Sequence, residues 1–176
     1  APACAMAALL AKQKDPDTQL LVLPADHLIR DLASFRQAIK EAIPAAIEGY
    51  LVTFGIKPET ASTGYGYIEK GGQIDGTSCF EVSRFAEKPE ESVAESYLQD
   101  GRYFWNSGMF LMTAQTYLDE LEKHALDVFK VCTRSFESLI RKDTFLEIKE
   151  LDFSKCPNDS IDYAVMENCL LYTSDA

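Results

Sequence analysis

Residues 19–23 read Gln-Leu-Leu-Val-Leu, and residues 50–56 read Tyr-Leu-Val-Thr-Phe-Gly-Ile. Both are short, continuous apolar runs, the pattern of strands covered on both faces. Between them, the segment Ser34 to Ile47 carries Phe35, Ala38, Ile39, Ala42 and Ile43 at helical spacing. Strand, helix and strand in that order predict a right-handed crossover and a parallel pair. The fold class follows: an α/β domain with a mixed, mostly parallel sheet flanked by helices.

Working outward, Ala3 to Lys14 is rich in Ala and Leu and reads as a helix closed by the turn Asp15-Pro16-Asp17. Pro44 is expected to kink or restart the helix that contains it. Tyr65 to Glu69 and Ser78 to Ala86 read as strands about a Gly71-Gly72 turn. Glu90 to Gln99 is a predicted helix with Pro89 at its entry. Tyr103 to Met112 reads as a strand, although Asn106-Ser107-Gly108 interrupts it with residues that strands rarely hold inside. Thr113 to Lys123 and Leu126 to Ile140 predict amphipathic helices, and Phe145 to Glu150 a further one. Ser160 to Glu167 opens a last helix, with Ser160 as its cap.

The 176 residues suffice for one domain with a core. A net charge of -11 argues against a general nucleic-acid binder. It leaves room for a phosphate ligand held by local amides, a lysine or a metal. The five cysteines are odd in number and include no CxxC pair. A disulfide framework or structural zinc site is therefore not expected, and a reducing cytoplasm is. No apolar run approaches ~20 residues, so no membrane partner is expected.

Several short stretches are candidates for chemistry. In Leu23-Pro24-Ala25-Asp26-His27, Asp26 lies directly beyond a buried strand, at the sheet edge where open α/β sheets bind ligands. A carboxylate there suits Mg²⁺, and it equally suits a turn cap. In Thr63-Gly64-Tyr65-Gly66-Tyr67-Ile68-Glu69, the glycines permit close backbone approach, and the tyrosines offer flat faces and hydroxyls for a sugar. A glycine-containing turn into a hairpin explains the same residues. Glu87-Lys88-Pro89 sets an acceptor beside a cation at a strand end, useful for sugar hydroxyls and a phosphate, or an ordinary exposed pair. Asn106 supplies a donor and an acceptor together, as a sugar hydroxyl does. Its flanking aromatics are expected to anchor the strand in the core. Asp162 and Glu167 stand five residues apart, diverging by about 140° on a helix, and make no obvious carboxylate pair. His27 and His124 have no nucleophilic partner in the sequence.

Taken in order, Leu-Pro-Ala-Asp-His (23–27), Thr-Gly-Tyr-Gly-Tyr-Ile-Glu (63–69), Phe-Ala-Glu-Lys-Pro (85–89), Trp-Asn-Ser-Gly-Met-Phe (105–110) and Ser-Ile-Asp-Tyr-Ala-Val-Met-Glu (160–167) resemble the mannose-1-phosphate guanylyltransferases, in particular the bacterial type often fused to a mannose-6-phosphate isomerase domain. The resemblance implies a Rossmann-like nucleotidyltransferase fold that joins GTP to mannose 1-phosphate and releases pyrophosphate. It implies Asp26 as a Mg²⁺ ligand and catalytic residue, and Lys88 as the catalytic cation near the sugar phosphate. Gly66, Tyr67, Glu87, Lys88, Asn106, Asp162 and Tyr163 become the substrate-binding set, and the full-length enzyme is a possible homo-oligomer. The family's Gly-rich GTP loop is not found here, so the chain is expected to be an N-terminally truncated domain, inactive alone. Residues 1–168 are expected to form that partial domain, with 169–176 a non-matching tail. Two alternatives remain: a related sugar-1-phosphate nucleotidyltransferase of other sugar or base specificity, and a non-catalytic sugar-phosphate-binding module.

Overall fold

The computed structural model describes residues 1–149, 153–168 and 171–175. In chain order they form α1 (Pro2–Lys12), β1 (Gln19–Val22), α2 (Leu32–Ile47), β2 (Leu51–Ile56), β3 (Tyr67–Gln73) and β4 (Phe80–Ala86). There follow α3 (Glu91–Asp100), β5 (Tyr103–Thr113), α4 (Ala114–His124), α5 (Leu126–Glu137), β6 (Ile140–Lys142) and β7 (Phe145–Glu147). A short α6 (Ile161–Ala164), a 3-10 turn (Met166–Asn168) and β8 (Leu171–Asp175) complete the described elements. The chain divides into two compact units, one of Ala1–Leu20 and Thr113–Cys169, the other of Leu21–Met112 and Leu170–Ala176.

The first unit is mostly helical and also holds the β6–β7 hairpin. α1, α4 and α5 pack on one another in all three combinations. Ala5 and Ala8 of α1 are fully buried, as are Tyr117 and Leu121 of α4 and Cys132 of α5. Small residues on α1 allow the close approach. Thr113 caps α4 by accepting from the Thr116 N–H at 3.1 Å. Cys132 Sγ lies 3.9 Å from Cys156 Sγ. Burial first, and then Cys156, pushes the Cys132 thiol up to about 12. All four cysteines among the described residues are free thiols.

The second unit carries the sheet, in the order β1-β5-β2-β8-β4-β3, with β3 also paired to β5. β2 and β8 run parallel. The pairings β2–β5, β3–β4, β3–β5 and β4–β8 are antiparallel. The α/β class therefore stands, but among the described pairings the sheet is mostly antiparallel, not mostly parallel. β1 and β2 are not neighbours, because β5 lies between them. The continuous apolar run of β2 is buried on both faces as expected, whereas that of β1 is not, with Leu21 38% exposed on the outermost strand; neither run carries anything about the direction of its neighbour. β8 falls in residues 169–176, which were expected to be a non-matching tail.

Helix α2 covers one face. Ala38, Ala42, Ala45 and Ala46 repeat at helical spacing and pack against Val52, Phe54, Met109 and Leu111. Pro44 sits inside α2 without ending it; the buried alanines on either side hold the helix where the proline removes one backbone bond. Asp31 starts α2 by accepting from the Ala33 and Ser34 N–H groups, each at 3.0 Å. A second cluster joins Tyr67, Ala94, Tyr97 and Tyr103. Helix α3 ends where Gly101 takes φ +77°.

Three local expectations change. Gly71-Gly72 lies within β3, and the chain turns at residues 75–76 instead, where Gly76 takes φ +76°. α5 stops at Glu137, and the helix expected from Phe145 is strand β7, paired with β6. Lys142 pairs with Phe145, which leaves Asp143-Thr144 as a two-residue turn with Asp143 at φ +41°. Such a turn selects a hairpin over a helix. Glu150 lies outside the described residues.

Two stability outcomes follow. Phe54→Ala removes a fully buried ring from the α2–β2 core and is expected to cost ~3–5 kcal/mol in urea denaturation. Bonds from Ser34, backbone first and hydroxyl second, hold the Asp31 carboxyl below its ordinary value. That stabilisation is present above about pH 4 and is lost as pH falls through the lowered value. Asp31→Ala should therefore lower the melting temperature at neutral pH, and the difference from the unaltered chain should vanish in acid.

Candidate functional site

The site is built where β5 breaks its own regularity. Thr53 of β2 pairs with Phe110, but Gly55, two residues on, pairs with Asn106, four residues away on β5. The surplus forms a bulge at residues 107–109. Gly108 takes φ +68°, a conformation that glycine accepts without a Cβ penalty. Side chains replace the missing ladder bonds. Asn106 Oδ1 accepts from Thr53 Oγ1 at 2.9 Å and from the Gly108 N–H at 3.3 Å. Ser107 Oγ accepts from the Met109 N–H at 3.2 Å.

The bulge opens onto a cleft of about 370 Å³ within the second unit. Asp26, His27, Ile56, Tyr65, Trp105 and Asn106 are among its lining residues. Asp26 stands exposed in the turn beyond β1, at the sheet edge, as read from the sequence. Gly66 and Asn106 are joined by the Asn106 N–H donating to the Gly66 carbonyl at 2.8 Å. A Cβ placed on Gly66 would come within 2.5 Å of Glu87 Oε2 and 3.6 Å of Asn106 Cβ. Gly66, Glu87 and Asn106 therefore converge on one spot, from three separate segments of the chain.

Lys88 Nζ lies 3.4 Å from Glu87 Oε1, with the lysine side chain 62% exposed. Lys88 takes φ +43°, a left-handed conformation that costs a residue of this type roughly 1–3 kcal/mol. Tyr67 is placed elsewhere: its ring is fully buried beside Tyr97, and its hydroxyl donates to the Ser62 carbonyl at 2.8 Å. Asp162 and Tyr163 belong to α6 in the first unit, whereas the cleft lies wholly in the second. Ser160 caps α6, accepting from the Tyr163 N–H at 3.2 Å, as its position predicted.

The cleft also recruits residues that the sequence reading assigned no ligand role. His27 stands next to Asp26 and shares its turn. Trp105, expected to anchor β5 in the core, is half-buried: it packs against the Tyr67 cluster and also walls the cleft, while Phe110 is buried at 1% exposure. The signal for Trp105 was its place directly before Asn106. Because β3 and β2 flank β5 here, Trp105 pairs with Tyr67 on one side and Ile56 on the other.

Among the described residues no three carboxylate, histidine or cysteine side chains gather as a metal cage. No helix among them is long and apolar enough to cross a membrane.

Three known proteins illustrate the similarity. The mannose-1-phosphate guanylyltransferase of Escherichia coli strain K12 is 45% identical over 181 residues, covering 100% of this chain and 37% of its own length. The xanthan biosynthesis protein XanB of Xanthomonas campestris strain B100 is 48% identical over 176 residues, covering 100% of this chain and 36% of its own length. The chain thus spans little more than a third of the curated relatives it matches. A crystal structure described as mannose-6-phosphate isomerase from Helicobacter pylori is 37% identical, with a TM-score of 0.87 over 99% of this chain and 66% of that one. Residues 1–152 match the family described as nucleotidyl transferase, and the chain belongs to that family.

Proposed function

We propose that this chain forms the sugar-phosphate side of a mannose-1-phosphate guanylyltransferase. The whole protein would transfer GMP from GTP to α-D-mannose 1-phosphate, giving GDP-mannose and pyrophosphate. One observation carries the reading: Gly66, Glu87 and Asn106 converge beside the cleft that Asp26 lines. The printed name of the relative at 45% identity, mannose-1-phosphate guanylyltransferase, suggests the substrates.

In this reading Glu87 accepts from sugar hydroxyls, and Gly66 leaves its carboxylate the room to stand there. The Asn106 side-chain amide stands at the same place. Lys88 offsets the charge of the sugar phosphate, which a chain of net charge -11 must do locally. Tyr67 supports Gly66 from the core without touching substrate. Asp162 and Tyr163 are proposed as further substrate contacts on their motif alone.

The reaction joins a phosphate oxygen of mannose 1-phosphate to the α-phosphorus of GTP and breaks the bond from that phosphorus to the pyrophosphate oxygen. No covalent enzyme intermediate is needed, so the residues act by holding two anions in line and by spreading charge. The divalent ion is proposed to be Mg²⁺, and Asp26 would hold it. A lone exposed carboxylate fits an ion that keeps several waters and takes its remaining ligands from substrate phosphates. Bound there, Mg²⁺ would neutralise charge between the two substrates. We place the enzyme in the cytoplasm, where its nucleoside triphosphate is available.

The test is pyrophosphate release by the full-length gene product with GTP and mannose 1-phosphate. Turnover with these substrates in preference to ATP, UTP or dTTP, and to glucose 1-phosphate, supports the reading; preference for another pair overturns it. Gly66→Ala should displace the Glu87 carboxylate and lower kcat/KM about 10- to 100-fold, the worth of a charged hydrogen bond. Its circular dichroism and melting should stay close to those of the unaltered protein. Full activity in Gly66→Ala would remove Glu87 from the sugar site.

A further inference from the structure

Trp105 is the one tryptophan of this chain. It precedes Asn106 on β5 and lines the cleft. Its ring meets that of Tyr65 at 4.9 Å between centroids, tilted by 52°. Tyr65 is 51% exposed and Trp105 is half-buried, so Tyr65 is the outer member of the pair. Tyr65 also sits in an irregular loop, between Gly64 and Gly66, where the backbone turns at little cost. The indole Nε1–H is closed to solvent and meets no acceptor among the described residues.

That donor is the point of interest. Phenylalanine would build the same wall with no polar group to satisfy. An unpaired buried donor costs about 1–3 kcal/mol, so each such group calls for a physical account. Here Trp105 lines a cleft, one residue from Asn106, and its ring lies against that of Tyr65 in a glycine-flanked loop.

We propose, resting on the sugar-phosphate reading above, that Trp105 sets which hexose this cleft accepts. When the Tyr65 ring turns outward, the Trp105 Nε1–H donates to one hydroxyl of the sugar. A hexose that lacks that hydroxyl, or carries it in the other orientation, leaves the donor unpaired and binds more weakly. Nothing covalent is involved. Glu87 and Asn106 recognise that a sugar is present, and Trp105 discriminates among sugars.

A single tryptophan makes the test direct. In ¹H–¹⁵N spectra of the chain, one indole cross-peak reports the group. Saturating mannose 1-phosphate is expected to move it downfield; a peak unmoved at saturation overturns the proposal. By calorimetry, Trp105→Phe should weaken mannose 1-phosphate about fivefold, the worth of one net hydrogen bond. It should also abolish discrimination against one deoxy-mannose 1-phosphate while keeping discrimination against the others. Unchanged affinity, or an equal loss for every deoxy analogue, reduces Trp105 to packing and overturns the proposal. If the unaltered chain binds no hexose 1-phosphate at all, the sugar reading itself fails, and the proposal with it. Binding with a silent indole sinks the proposal alone.

Discussion

The bond from Thr53 Oγ1 to Asn106 Oδ1, 2.9 Å long and part-buried, is the contact on which the second unit depends. β5 is a partner of β1, β2 and β3. It serves all three only because it changes register at the bulge, and the bulge survives because Asn106 and Ser107 satisfy the backbone and hydroxyl groups that the ladder abandons. Without those side-chain bonds, Met109 and Leu111 could not pack in the α2 core while Trp105 and Asn106 line a cleft.

This arrangement explains why polar residues stand in so apolar a strand. Asn106 has two duties. Its Oδ1 holds the bulge, and its position holds Gly66 through a backbone bond of 2.8 Å. Gly66 in turn is the space into which Glu87 fits. Asn106, Gly66 and Glu87 are thus coupled mechanically before any ligand arrives. Preorganisation of this kind would serve the proposed transfer, in which positioning and charge act without a nucleophile.

Much of the fold was legible in the residue pattern. Periodicity located α2, α4, α5 and most strands because burial of one face is written directly into spacing. Strand direction was not legible, since Leu51 to Phe54 would look alike beside a parallel or an antiparallel neighbour. The β6–β7 hairpin was missed because its strands are three residues each, too short for a period to show. Asp26, Gly66, Glu87 and Asn106 could be listed from motifs, yet their convergence joins residues up to 80 positions apart, 26 to 106. The same motifs named Tyr67, whose burial removes it from the cleft.

By itself, then, the sequence determined most element types, the family and a short list of polar residues, because these depend on local spacing and on the order of short motifs. The tertiary structure alone decided which strand lies between β1 and β2, which aromatic packs in the core and which walls a cleft, and which atom needs a glycine beside it. Those are questions of register and of distance between segments remote in the chain. A shift of one residue in β5 would exchange the faces of Trp105 and Asn106, and no pattern within β5 specifies that register without β2 and β3 on either side.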